Sequence, residues 1–503
     1  MRTVFVLFDS LIRRGLECYG GNLITPNFQR FADKSVTFTN HYVGSLPCMP
    51  ARRELHTGRH NFLHRSWGPI EPFDISGFEL MKRNGIYAHL ISDHYHYWED
   101  GGLTYANRYN SWEFMRGQEW DPWAAVVNPP LPEYKEKYHP LQYAEPGKKG
   151  GRGQGIINHE AMPDEEDHPM VQCFNAAFKF LDTNREADNW VLNLECFDPH
   201  EPFFVPERFR ELYPTDYKGP ILTWPIYKRV QESEEEIDEL RANYAALMTM
   251  CDEYLGLLLD YFDKHELWKN TALIVTTDHG FLLGEHEWWA KSRMPFYNEI
   301  SHIPLLFYHP DHSDQAGTKR HSITQNIDIM PTLLSMYDLE IPKIVEGHSL
   351  VSMMEHDAPV RKAAIYGQFG AATNVTDGRY TYFRYPEDFR NQELYQYTLM
   401  PTHQNSLFTK DDFNNASYEY SFKFLQGFPA MKLPVGPPES RGQGALIEDT
   451  QTVLYDLQTD PDQNNPIENP EVKLRLIREM TNIMKRNEAP PEAYRRLNLE
   501  VPA

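Results

Sequence analysis

A chain of 503 residues with 41% apolar positions can bury a large core and holds more than one unit, which excludes a disordered chain or a small stapled scaffold. Its 49 Lys and Arg against 72 Asp and Glu leave a net charge of −23. That works against general attraction to nucleic acid or an anionic membrane, so an anionic ligand needs a local group of cations. No apolar run approaches the ~18 residues of a membrane span, and the short run after Met1-Arg2 meets Asp9 too early for a signal peptide, so the expected location is cytoplasmic.

The first element is a strand, Val4 to Phe8, running into Asp9-Ser10. Three more apolar runs end in the same way. Ala88 to Ile91 meets Ser92-Asp93-His94-Tyr95-His96, Val191 to Phe197 meets Asp198-Pro199-His200, and Leu273 to Val275 meets Thr276-Thr277-Asp278-His279-Gly280. Buried strands alternating with helical patterns predict an α/β fold. Its mostly parallel central sheet is flanked by helices, and the polar clusters gather beyond the carboxyl ends of the strands. From about 120 to 169 the composition turns to Pro, Gly, Lys and His without periodicity, which predicts a long loop insert over the site. The clearest helix runs from Ser233 to Lys264, with Ser233 and Glu236 as a capping box and an apolar stripe that includes Cys251. Beyond about Ile365 the pattern shifts. Strands at 378–384 and 453–457 and a helix at 471–486 predict a smaller α+β unit, dividing the chain into a catalytic part, 1–365, and a C-terminal part, 366–503.

The five cysteines, Cys18, Cys48, Cys173, Cys196 and Cys251, are odd in number and form no CxxC, which fits a reducing compartment better than a disulfide framework. Asn374-Val-Thr and Asn415-Ala-Ser are read as chance matches to the glycosylation triplet. The most informative segment is Cys48-Met49-Pro50-Ala51-Arg52, followed by Leu55, Thr57, Gly58 and Arg59. It reads as a loop entering a helix, with Cys48 near the positive end of the helix dipole and Arg52 beside it, an environment suited to anions.

Cys48-x-Pro50-Ala51-Arg52 with Leu55-x-Thr57-Gly58-Arg59 resembles the signature of the sulfatase family of the alkaline phosphatase superfamily. The stretch from Thr25-Pro26-Asn27 to Phe38-Thr39-Asn40 resembles the segment that precedes it. Asp278-His279-Gly280, Gly284-Glu285-His286 and Lys291 resemble the family's second metal-binding region, and Leu454-Tyr455-Asp456-Leu457 extends the likeness more weakly to the C-terminal unit. The resemblance implies a sulfuric ester hydrolase in which Cys48 becomes formylglycine through a maturation enzyme. One hydroxyl of the hydrated aldehyde attacks sulfur, and the other lets the sulfate leave by reforming the aldehyde.

The resemblance also assigns residues. Asp9, Asp278, His279 and the modified Cys48 are expected to hold a divalent metal, calcium by the family's habit; one imidazole, His279 where the family commonly has Asn, and one fewer carboxylate also suit manganese. His200 matches the histidine beside the leaving-group oxygen, Lys291 the lysine on a sulfate oxygen, and Arg52 the signature arginine. The chain departs from the family pattern at Ser10, where a second acid is common, and at His94 and His96, where lysine and histidine are usual. His94 and His96 are read as substitutes that contact the hydrate and the substrate oxyanion, which predicts sensitivity to imidazole charge near pH 6 to 7. The expected substrate is a sulfated carbohydrate or small-molecule sulfate ester, with no nucleic acid or membrane partner. Two alternatives stand: hydrolysis of phosphonate monoesters or phosphodiesters on the same fold, and a catalytically silent binder of sulfated glycans.

Overall fold

In a computed structural model the chain is described over residues 1–143, 152–292, 295–436 and 450–502. The central sheet is built on six strands, β1 Arg2–Phe8, β2 Val36–Tyr42, β3 Tyr87–Ser92, β4 Ser111–Phe114, β5 Trp190–Cys196 and β6 Thr271–Thr276, together with strand His302–Tyr308. Its spatial order is Lys319–Arg320, β2, His302–Tyr308, β6, β1, β5, β3, β4. The pairs β6–β1, β1–β5, β5–β3 and β3–β4 are parallel, and only His302–Tyr308 runs against its neighbours β2 and β6. The fold is therefore α/β with a mixed, mostly parallel sheet.

The continuous apolar run of β1 follows from burial on both faces. Val4, Val6 and Phe8 pack with helices Pro169–Thr183 and Glu234–Lys264, while Phe5 and Leu7 pack with helices Gly77–Arg83 and Ile329–Met336 on the other side. Register then aligns the strand ends. Leu7 pairs with Glu195 and Thr276, and Ser92 also pairs with Glu195, so the segments after β1, β3, β5 and β6 leave the sheet at one edge.

Helix Glu234–Lys264 begins where the sequence places it, and both arms of the Ser233–Glu236 capping box form. The segment 120–169 differs from expectation. It carries helices Leu131–Lys137 and Arg152–Glu160, too short for a periodic signature, while residues 144–151 of the expected loop lie outside the described residues. A four-stranded antiparallel sheet, Ala364–Gly367, Thr373–Thr376, Tyr380–Arg384 and Val453–Asp456, carries helix Pro470–Arg486 on one face, and Tyr395–Thr398, Ala430–Pro434 and Ser417–Glu419 form a separate three-stranded sheet. Asn374 is buried in that sheet.

Candidate active site

Asp9 follows β1 and is wholly buried. Its Oδ1 accepts a hydrogen bond from Ser10 Oγ (2.8 Å) and lies 3.6 Å from Lys291 Nζ. Its Oδ2 lies 3.1 Å from Arg52 Nη2 and 3.5 Å from His94 Nε2. Burial alone would raise this carboxyl; the charges of Lys291 and Arg52 bring it well below the usual carboxylate value. Ser10 turns the chain with φ 62°, which sends its N–H to Asp278 Oδ1 (3.2 Å) and its carbonyl to the Tyr244 hydroxyl (2.7 Å).

Helix Cys48–Thr57 presents Cys48 as its first residue, and Arg52 one turn on lies on the same face. Arg52 spans three buried carboxylates. Its Nε donates to Glu195 (2.9 Å) and Nη1 to Asp278 (2.8 Å), with Nη2 on Asp9. The Cys48 thiol is 2% exposed, and its Sγ lies 3.3 Å from His279 Nε2. Burial and the charge of Asp9 push the thiol well above its usual value. The anion-friendly environment expected from the helix dipole is thus overridden by carboxylates; as a bare thiol, this position sits in a cation-seeking cluster.

Asp278 and His279 follow β6. The His279 backbone N–H donates to Asp278 Oδ1 (2.8 Å), and the ring Nδ1 donates to the Gly280 carbonyl (2.9 Å), which leaves the lone pair on Nε2 facing Cys48 and Asp278. Glycine is required at 280, because a Cβ there would stand 1.9 Å from the Glu299 carbonyl. Donor atoms of Asp9, Cys48, Asp278 and His279 all lie within 4.8 Å of one another. Two carboxylates, a correctly presented imidazole nitrogen and an Asp9 Oδ2 without a hydrogen bond fit a divalent cation.

Around this cluster, Lys291 Nζ donates to Ser10 Oγ (2.9 Å), and acidic neighbours raise its pKa although burial opposes them. His94 is buried with neither ring nitrogen hydrogen-bonded. His96 is held elsewhere, its Nδ1 on Glu99 (2.7 Å) and its ring against Trp67; of the two, only His94 reaches Asp9. Asp93 orients no histidine. Its carboxylate accepts the Phe197 N–H (2.7 Å) and Gln118 Nε2 (3.0 Å). His200 is buried, with Nδ1 donating to the Glu201 carbonyl and the Phe197 ring centroid 4.0 Å away, tilted by 36°. Burial carries both His94 and His200 well below the usual histidine value.

Sequence reasoning missed four residues here. Glu195 was visible as the one acid in the strand Val191-Leu-Asn-Leu-Glu-Cys, and the Tyr97 hydroxyl donates to it (3.0 Å). Tyr244 was hidden in a core stripe. Glu119 and Glu201, whose carboxylates lie with His200 in a second buried group, carry no local signal.

The sulfatase family model matches residues 2–339, and a second, for the C-terminal part of N-sulphoglucosamine sulphohydrolase, matches residues 284–426. The chain belongs to the sulfatase family. It is a sulfatase-family enzyme, a sulfuric ester hydrolase by class. An N-acetylglucosamine-6-O-sulfatase of Bacteroides thetaiotaomicron is 23% identical over 482 residues, covering 82% of this chain and 83% of the relative. Among solved structures, a protein in complex with its substrate D-glucosamine-2-N,6-O-disulfate superposes with a TM-score of 0.65 at 17% identity, over 98% of this chain and 99% of the other. A phosphonate monoester hydrolase of Agrobacterium radiobacter gives 0.64 at 18% identity, over 97% and 96%. These likenesses place the sulfatase fold across nearly the whole chain.

Proposed function

We propose that this enzyme hydrolyses a sulfate monoester of a carbohydrate, with Cys48 as formylglycine and one divalent cation on Asp9, Asp278 and His279. The gathering of those four donors within 4.8 Å, around the Cys48 that begins helix Cys48–Thr57, carries the reading, and the names of the relatives that act on sulfated glucosamines support the sugar. The modified residue and the cation together would supply a nucleophile and neutralise sulfate oxygens. The His279 nitrogen weights the ion toward manganese or a similar metal over calcium.

The chain's own groups do the rest. Arg52 holds the two carboxylates in place, and His279 is fixed in the tautomer that offers Nε2. Lys291 and His94, both lying against Asp9, face the oxygens that gain charge. His200 keeps its Nδ1 proton on the Glu201 carbonyl, so Nε2 is the atom that passes a proton to the departing alkoxide. The negative charge of a bound sulfate raises this depressed imidazole toward the value such a proton donor needs. Because Cys48 is buried, its maturation enzyme must meet the chain before the site closes.

The test compares turnover of 4-nitrophenyl sulfate and an aryl phosphonate monoester by protein whose Cys48 peptide shows the aldehyde by mass. A sulfate preference of tenfold or more is expected, and Cys48→Ala should abolish it. A preference for the phosphonate would favour the second reading, which the Asp278-His279 pair, Ser10 and the likeness to the phosphonate monoester hydrolase support. An unmodified Cys48 in native material would favour the silent glycan binder.

A further inference from the structure

A second buried group lies beside His200, whose Nδ1 is 3.3 Å from Glu201 Oε2. Oxygens of Glu119 and Glu201 and a ring nitrogen of His200 lie within 4.8 Å of one another. Glu119 is 6% exposed and Glu201 fully buried, and Oε2 of each has no hydrogen-bond partner. The other Glu201 oxygen accepts from the Tyr227 hydroxyl. The Tyr95 hydroxyl, also buried, lies beside Glu119.

Glu119 is held there deliberately. Its backbone adopts φ 49° within a turn that Asp121 closes by accepting the Gly117 N–H (3.0 Å), and Asn158 of helix Arg152–Glu160 donates to the Asp121 carbonyl (2.8 Å). Among the described residues no Lys or Arg forms an ion pair with either glutamate. Lys291 makes its contacts with Ser10 and Asp9, and its charge only partly offsets the two glutamates. Two carboxylates buried this way are costly unless a cation answers them. A neutral hydroxyl of a substrate would leave that charge to Lys291 alone, whereas an ammonium group would add a second cation and donate to the carboxylate oxygens.

We propose that Glu119 and Glu201 form a cation-accepting subsite beside His200, and that the preferred substrate is a sulfate ester whose alcohol carries a positively charged amine. This rests on the sulfatase reading above. Burial and the neighbouring Glu201 push the Glu119 carboxyl well above its usual value, a cost that a bound ammonium relieves.

The test uses mature full-length enzyme and aminoalkyl sulfates of increasing chain length, each against the alkyl sulfate of equal length. At least one length should show a tenfold or greater advantage in kcat/KM for the amine, and Glu119→Gln should bring that ratio near one whatever happens to the absolute rates. Glu201→Gln, checked for folding by circular dichroism, should do the same. Equal kcat/KM within every pair, or a ratio unchanged in both variants, would overturn the proposal. So would metal analysis showing two divalent ions per chain, one of them lost in Glu119→Gln, because the subsite would then hold an inorganic ion. Failure of the underlying reading looks different: 4-nitrophenyl sulfate would not be turned over at all, and both conclusions would fall together.

Discussion

Two acidic groups meet at the same sheet edge and are treated in opposite ways. Asp9, Asp278 and Glu195 are answered by a single guanidinium, with Lys291 on Asp9 as well. Glu119 and Glu201, a short distance away, keep an oxygen each without a hydrogen bond, and no Lys or Arg among the described residues pairs with them. The first group is pre-organised by the protein and needs little more than an ion to complete it. The second is left open, which is what a surface kept for a variable part of a substrate looks like.

The sharpest way to break this comparison is Arg52→Met. Removing one partner of a buried ionic network costs about 3–5 kcal/mol because the remaining charges stay buried and unpaired. Urea unfolding of metal-free protein should therefore show a loss of that size, partly recovered by a divalent cation that binds only the folded state. A loss below ~1 kcal/mol would mean that Arg52 does not hold the carboxylates together.

His200 stands between the two groups, and His200→Ala separates chemistry from binding. If its Nε2 protonates the leaving oxygen, kcat for an alkyl sulfate should fall by at least about 10²-fold. A 4-nitrophenyl ester, which leaves unaided, should lose far less. Equal losses on both esters would remove His200 as the acid.

Asp93 ties the regions to one another, since its carboxylate binds the Phe197 N–H after β5 and the Gln118 side chain just before Glu119. Burial pushes its pKa up to about 7. An unfolded aspartate loses its proton near 4, so between about pH 4 and about 7 the folded chain binds more protons than the unfolded one at this position. Its contribution to stability is therefore full at low pH and declines as pH rises through that window. Asp93→Asn keeps the amide geometry after a flip of Gln118 and should flatten this decline, read as the difference in unfolding midpoint between pH 5 and pH 8. An unchanged pH slope would show that Asp93 is ionised throughout.

Much of the fold was legible because it rests on local rules. Strands buried on both faces read as unbroken apolar runs, and helix Glu234–Lys264 announces itself by its Ser233–Glu236 cap and its stripe. The site residues after β1 and β6 were legible for the same reason, since a polar cluster that ends a buried run must leave the sheet at its rim. Direction was not legible. Spacing made His94 and His96 look equivalent, but the short helical turn that follows β3 sends one ring to Asp9 and the other to Glu99 and Trp67. Nor could periodicity find Glu119, which is placed by a turn and by a helix of nine residues far along the chain.

The smallest test concerns how the ordered group is braced from below. The Tyr244 hydroxyl of helix Glu234–Lys264 donates to the Ser10 carbonyl (2.7 Å) and accepts the Ile12 N–H (3.0 Å), pinning the left-handed turn that carries Asp9 into the site. Tyr244→Phe keeps the ring in the core but leaves a buried carbonyl and an amide unpaired, which costs about 1–2 kcal/mol. Because the turn also aims the Ser10 N–H at Asp278, the variant should bind its divalent cation more weakly while the amine-to-alkyl substrate ratio stays as in the parent enzyme. A change in that ratio with unaltered metal affinity would mean that Tyr244 braces the second acidic group rather than the first.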